Sequence, residues 1–180
     1  GNPGVEWYSR YDGGKSEVIM LGSIYSWRDR GGEYHSTTDD SDAGVLHDIF
    51  EREGIEGLSR LNGEFFAVIR DFDMGAVHIA TDRLGTIPAV TSQSSDATVV
   101  TTNIQLLASD PGIELAYDEE GLVEYFAFQR TYGTKTPLAD VDRLKPGTVD
   151  TYETSELHSK ERYWRPRLDP GPLSFEEYVD

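Results

Sequence analysis

The residues whose types and spacing most suggest chemistry lie in the stretch LNGEFFAVIRDFDMGAVHIATDRLG, from Leu61 to Gly85. Asp82 and Arg83 could form a carboxylate–guanidinium pair that holds a substrate, and Glu64 could act as a general base. Adjacent strand residues point to opposite faces, so Asp82 and Arg83 cannot easily serve one pocket. We therefore predict that one of them ties down the LGTIP loop and that Glu64 belongs to the turn into a strand.

Other catalytic chemistries find little support in the residue types. The 180 residues contain no cysteine, which excludes disulfides, thiolate metal sites and a cysteine nucleophile among them. The four histidines show no HxxxH or HExxH spacing, so we predict no dedicated metal site. The glycine-rich phosphate loops and the GxSxG nucleophile motif also do not occur.

The charge balance is strongly acidic, with 33 Asp and Glu against 16 Lys and Arg and a net charge of −17. Nucleic-acid binding is disfavoured, because that affinity comes from cations that neutralise phosphates. The acids are spread along the chain, and 11% of the residues are aromatic, so the composition indicates a folded domain. Such a lysine-poor acidic surface suits concentrated salt, which screens self-repulsion, and we therefore expect a halophilic source.

The length and hydropathy of the chain indicate one soluble domain. No apolar run approaches the roughly 18–20 residues that a membrane span needs, and the first residues do not follow the plan of a signal peptide. We expect a cytoplasmic protein without a membrane partner.

The pattern of apolar residues predicts an α+β fold with an antiparallel sheet. Residues 17–27 are predicted as a buried strand that ends in a loop with Gly22 and Ser23 at its bend. Two hairpins, a helix stopped by Gly54, and a last strand pair follow along the chain. A second helix is predicted from Glu119 to about residue 128; its cap is Asp118, and its buried residues are Leu122, Val123 and Phe126.

Six blocks occur in the same order as in a known family: LSRLNGEFFAVIRD, ATDRLGTIPAV, TTNIQLL, DEEGLVEYFAF, TPLADVDRLKPGTV and RYW. Together they resemble the glutaminase domain of asparagine synthetases, a class II glutamine amidotransferase with an N-terminal-nucleophile hydrolase fold. The resemblance covers roughly Glu17 to Trp164. It implies a four-layer αββα sandwich of two mainly antiparallel sheets.

The resemblance also implies a domain organisation. Residues 1–164 would form the glutaminase-like domain, and residues 165–180 a Pro-rich linker with the truncated start of a synthetase domain. That synthetase domain would be the partner of this one and the only user of ATP and Mg²⁺, so we expect no cofactor here. A homodimer is a further option.

In the family, an N-terminal cysteine attacks the glutamine amide, and an Asn side chain with a Gly N–H holds the oxyanion. The segment LGSIYS stands where the family has Asn-Gly-Glu-Ile-Tyr-Asn, so Leu21 replaces the oxyanion Asn and Ser23 replaces the Glu that holds the substrate amine. Gly22 and Asp42 still match. We predict no catalytic residue here and a remnant substrate site at Gly22, Ser23 and Asp42.

Three hypotheses follow from this pattern. The first is a degenerate domain of an asparagine synthetase-related protein that cannot hydrolyse glutamine. The second is an active amidotransferase whose cysteine segment lies outside these residues. The third is a small-molecule sensor that uses the old glutamine pocket without turning its ligand over.

Overall fold

The computed structural model describes residues 8–36, 41–94, 97–154 and 156–167. These residues form two antiparallel sheets with helices, which confirms the predicted α+β class. The large sheet has the strand order β1-β2-β4-β5-β9-β10, with β3 paired to β2, and the small sheet has the order β7-β6-β8. The strands are β1 (Tyr8–Asp12), β2 (Ser16–Arg28), β3 (Tyr34–Ser36), β4 (Leu61–Asp71), β5 (Ala76–Thr81), β6 (Val90–Gln93), β7 (Thr98–Thr101), β8 (Val141–Arg143), β9 (Thr148–Glu153) and β10 (Glu156–Arg162).

The two faces of the large sheet bury different apolar sets because side chains alternate along each strand. On the outer face, Val18, Met20 and Ile24 of β2 pack against the first helix. On the inner face, Phe66 of β4 packs with Ile79 and with residues of the small sheet. The large sheet is therefore covered by a helix on one side and by the second sheet on the other.

The first helix, α1 (Asp42–Glu53), has the ends that the sequence predicts. The hydroxyl oxygen of Ser41 caps its N-terminus by accepting a hydrogen bond from Gly44 N at 3.1 Å. Gly54 ends the helix with a φ of 64°, a left-handed conformation that favours glycine. A 3₁₀ segment, Gly54–Arg60, follows and leads into β4.

The second helix, α2 (Glu119–Phe128), has the predicted bounds, and the carboxylate of Asp118 accepts from Gly121 N as its cap. The predicted burial of its apolar residues is wrong: Val123 is 68% exposed and Phe126 is 78% exposed. Leu122 is half-buried. Helical periodicity identifies an apolar face but not whether another element covers it.

The predicted loop at Gly22 is also wrong. β2 continues through Gly22 to Arg28, and its second half pairs with both β3 and β4. A register shift between Ile24 and Ser26 absorbs the irregularity without ending the strand. The short strands β1, β3 and β8 were not predicted, because the signal of three to five residues is too weak.

Tyr163 directly follows the last strand, β10, and contacts the end of β5. Its hydroxyl donates to the carbonyl oxygen of Thr81 at 2.6 Å, and burial, with a smaller contribution from Asp82, raises the pKa of this hydroxyl. None of the helices among the described residues has the length and apolarity to cross a membrane.

Substitution of Tyr163 by Phe tests this contact. Because the folded-state pKa lies above the usual value near 10, the stability it confers is complete below about pH 10 and is lost as the pH rises further. We expect the wild type to lose free energy of unfolding above about pH 10 and Tyr163→Phe to lose less. Urea unfolding at pH 8 and pH 10.5 measures how much free energy of unfolding the wild type and the variant lose between the two pH values. Tyr8→Phe, at an exposed tyrosine, is the control. An equal loss of free energy of unfolding in all three proteins would contradict the stabilising role of the Tyr163 hydroxyl.

Candidate functional site

Gly22 is a point of close approach between β2 and β4. Its φ is 92°, and a Cβ atom built there would overlap the carbonyl oxygen of Glu64 and come within 2.9 Å of Ile87. Only glycine meets both conditions, the left-handed conformation and the lack of space. The sequence therefore has glycine here for a backbone reason that does not depend on catalysis.

Leu21 and Ser23 flank this glycine and lie on the inner face of the large sheet. Leu21 is half-buried, lies opposite Phe66 in the register, and packs against the buried cluster that Phe66 forms with Ile79 between the two sheets. Ser23 is exposed and lies opposite Glu64 in the register of β2 and β4. An aliphatic side chain and a hydroxyl thus occupy the two positions that the resemblance assigns to an amide and a carboxylate.

Glu64 lies within β4 rather than in a turn before it, so the predicted strand-entry turn is wrong in position. Its exposed carboxylate is close to Tyr25, which sits at the register shift of β2. Partial desolvation, then a hydrogen bond to Glu64 and its charge, raise the pKa of the Tyr25 hydroxyl. Glu64 is therefore already an acceptor for a neighbouring side chain.

Asp42 is the first residue of α1 and is half-buried. The next residue, Ala43, donates its N–H to the hydroxyl oxygen of Ser9 at 3.2 Å, and Ser9 lies opposite Met20 in the register of β1 and β2. The start of α1 is therefore beside the sheet, two residues along β2 from Gly22.

Asp42 and Ser23 nevertheless approach the sheet from different sides. The helix α1 packs on the outer face, with Met20, whereas Leu21 packs on the inner face, and Ser23 follows Leu21 in the alternation. Of the predicted remnant site, Gly22 and Ser23 are adjacent in β2, and Asp42 begins the helix on the opposite side of the sheet from Ser23.

Asp82 is buried, with 1% of its surface exposed, and its carboxylate joins β4 to the loop after β5. It accepts hydrogen bonds from the N–H groups of Phe65 at 3.2 Å, Leu84 at 2.8 Å and Thr86 at 2.9 Å. Its own carbonyl oxygen accepts from Gly147 N at 2.8 Å. Asp82 ties down the loop after β5, as the structural interpretation predicts.

Arg83 turns away from Asp82. Its guanidinium donates to the carbonyl oxygen of Ser59 at 2.9 Å and lies 5.8 Å from the ring centroid of Trp164. The two adjacent residues thus do not converge on one pocket. Both are explained by contacts within the fold.

A cluster that the sequence analysis missed lies at the turn between β2 and β3. Asp29, Glu33 and His35 have potential ligand atoms within 4.8 Å of one another. The Asp29 carboxylate accepts from Glu33 N at 2.9 Å and lies 3.2 Å from His35 Nε2, and these contacts lower the pKa of Asp29. The irregular spacing of the three residues left no motif to recognise. All three residues are exposed or half-buried, and the Asp29 carboxylate already has Glu33 N and His35 as partners, so the position of Asp29 is explained without a metal ion.

Comparisons with known proteins cover most of the chain. The family model described as "Glutamine amidotransferase domain" matches residues 9–164. No curated protein gives a significant match. Among solved structures, a glutamine phosphoribosylpyrophosphate amidotransferase from B. subtilis is similar, with 14% identity and a TM-score of 0.46. Another is described as the allosteric regulatory enzyme of purine biosynthesis, with 14% identity and a TM-score of 0.49. In both cases the alignment covers 88% of this chain and 31% of the other chain, so this chain spans about a third of their length.

Proposed function

The chain belongs to the glutamine amidotransferase domain family, and we propose that it is a degenerate member of that family, unable to hydrolyse glutamine. The observation that carries this proposal is the position of the Leu21 side chain. Its aliphatic side chain packs between the two sheets, at the position that the resemblance assigns to the oxyanion-binding amide.

The loss of these groups has a large chemical consequence. Removing a single oxyanion donor lowers a rate by on the order of 10²–10³, because the developing negative charge loses its partner. The replacement of Glu by Ser at position 23 also removes the carboxylate that would hold the ammonium group of the substrate. Neither loss depends on residues outside this chain.

The proposal extends to the protein of which this domain would be part. We place it in an asparagine synthetase-related protein, whose family reaction is the ATP-dependent amidation of aspartate with ammonia from glutamine. The domain would then serve as a platform for a C-terminal synthetase domain that binds ATP and Mg²⁺. The six ordered sequence blocks between Glu17 and Trp164 support this placement.

We expect no release of glutamate or ammonia when the 180-residue protein is incubated with 10 mM glutamine (roughly tenfold above ordinary KM values) in molar KCl. Calorimetric titration should show no saturable binding of glutamine or glutamate. The double variant Leu21→Asn/Ser23→Glu should gain binding without gaining hydrolysis, since it regains polar groups but no nucleophile. Leu21→Val, which keeps the site apolar, is the control.

Two outcomes would contradict the proposal. Steady glutamate production by the purified wild type would show an active amidotransferase. Saturable glutamine binding by the wild type without turnover would favour the sensor hypothesis, in which the remnant pocket at Gly22, Ser23 and Asp42 holds a ligand.

The proposed halophilic origin makes a separate prediction. At a net charge of −17, screening should relieve self-repulsion as the Debye length falls from about 10 Å at 0.1 M salt to about 3 Å at 1 M. We expect the melting temperature to rise from low to molar KCl. An equal osmolarity of sucrose is the control for solute exclusion. A melting temperature that stays flat or falls with KCl would defeat the halophilic interpretation.

A further inference from the structure

A groove opens on the outer face of the large sheet, beyond the C-terminal end of α1. Its volume is 610 Å³, and its walls come from α1, β5, β9 and β10. Phe50, Ile55 and Met74 supply its apolar surface. In the register of the sheet, the groove lies at the end of β2 that begins with Ser16, whereas Gly22 lies farther along the strand. It is therefore separate from the remnant glutamine site.

His78 lines this groove, and only 3% of its surface is exposed. Its Nδ1 atom lies 2.9 Å from the hydroxyl of Thr151, while its Nε2 atom has no hydrogen-bond partner among the described residues. Burial lowers the pKa of His78, against the opposing effect of Asp71, Glu161 and Glu153. A neutral imidazole whose Nδ1–H donates to Thr151 presents a lone pair at Nε2 as a buried acceptor. A buried polar atom without a partner is costly, so it points to a ligand group that would donate to it.

The charges around His78 favour a positively charged ligand. Six carboxylates line the groove: Glu51, Glu56, Asp71, Asp73, Glu153 and Glu161. The cations that line it are Lys15 and Arg52, and Arg52 is directed to Asp48 through two contacts on α1. The C-terminal end of α1 adds the partial negative charge of its last carbonyl groups.

The spacing of these carboxylates favours an extended ligand over a metal ion. Among the described residues, the single group of three or more potential ligands within 4.8 Å of each other is the cluster at Asp29, and it lies outside the groove. The groove's acids are dispersed around an apolar wall instead. That arrangement matches several ammonium groups separated by methylene segments.

We propose that this groove is a binding site for an aliphatic polyamine, with one ammonium group donating to His78 Nε2 and the others paired with the surrounding carboxylates. The methylene segments contact Phe50, Ile55 and Met74. This site is independent of glutamine hydrolysis, so it stands whether or not the remnant amidotransferase site is active.

Spermidine is the probe for this site, titrated into the 180-residue protein at pH 8 in 0.2 M KCl. We expect saturable binding at one site by calorimetry and a change in the ¹⁵N NMR signal of His78 Nε2. Glu161→Gln and Asp73→Asn should each raise the Kd by about threefold, the range of a partly exposed ion pair. Glu114→Gln, which removes an exposed carboxylate away from the groove, is the matched control and should leave the Kd unchanged.

His78→Phe keeps an aromatic ring but removes the acceptor, and we expect it to raise the Kd by about tenfold. The NMR signal of the wild type provides the same information if that variant does not fold. Absence of saturable binding would overturn the proposal. So would an equal effect of Glu114→Gln and Glu161→Gln, which would show diffuse attraction to an acidic surface, or an identical His78 shift with Mg²⁺ alone, which would show a metal site.

Discussion

Substitution of Asp82 by alanine should lower the free energy of unfolding by about 3–5 kcal/mol, a large part of the 5–15 kcal/mol typical of a folded domain. The Asp82 carboxylate accepts hydrogen bonds from the N–H groups of Phe65, Leu84 and Thr86. Its side chain is 1% exposed, so water cannot readily replace it after truncation. The Phe65 N–H, left buried without an acceptor, costs about 1–3 kcal/mol, and loss of the two part-buried bonds to Leu84 and Thr86 adds about 1 kcal/mol each. The sum exceeds the effect of most single substitutions.

Guanidinium chloride unfolding measures this effect, and two further variants make it specific. Asp82→Asn keeps the shape but turns one oxygen acceptor into an NH₂ donor, so it should still lose more than 1 kcal/mol. Asp71→Ala is the control, because the Asp71 carboxylate also accepts a backbone hydrogen bond, from Met74 N at 2.9 Å, but at an exposed turn. We expect a loss below about 1 kcal/mol there. An Asp82→Ala loss no larger than that of the control would refute the structural role of Asp82.

Gly22→Ala should destabilise the protein by a similar amount, about 3–5 kcal/mol, or prevent folding. Two effects add at this position. The φ of 92° is unfavourable for any residue with a Cβ atom, and that atom would overlap the Glu64 carbonyl oxygen of the neighbouring strand. Relief would require β2 and β4 to separate at the centre of the large sheet.

Gly14→Ala separates the two effects. Gly14 has a φ of 84°, close to that of Gly22, but a Cβ atom there would meet nothing within 4 Å. It should therefore lose only the conformational part, about 1–2 kcal/mol. The same unfolding experiment compares both variants with the wild type. Equal losses at Gly14 and Gly22 would show that close strand contact contributes nothing at Gly22.

Much of the fold follows from local features of the sequence. The apolar runs on either side of RDFDMG predicted the hairpin of β4 and β5, and Ser, Asp and Gly residues predicted the ends of α1 and α2. These signals are local because turn, cap and periodicity preferences involve residues within about one turn of helix or one strand. The predicted loop at Gly22 was wrong. Glycine often marks a bend, but here it lies within a strand and allows the neighbouring strand to approach closely.

The candidate site could be predicted only in part from the sequence. The family resemblance identified LGSIYS as the segment to examine, and it predicted the loss of an amide and a carboxylate at Leu21 and Ser23. It could not predict that Leu21 would pack with Phe66 in the cluster between the sheets. The residues themselves predicted that Asp82 or Arg83 ties down the LGTIP loop, and the three backbone partners identify Asp82 as that residue.

The sequence by itself determined the α+β class, most helix and strand positions, the acidic surface and the family to compare with. The tertiary structure alone decided that Asp82 is a structural acceptor, that the apolar face of α2 is exposed, and that His78 lines an acidic groove. The reason is the distance along the chain between the interacting groups: Asp82 meets Phe65 across 17 residues, and His78 meets Thr151 across 73. Such contacts depend on how strands pair and layers stack, and a local pattern of residue types does not contain that information.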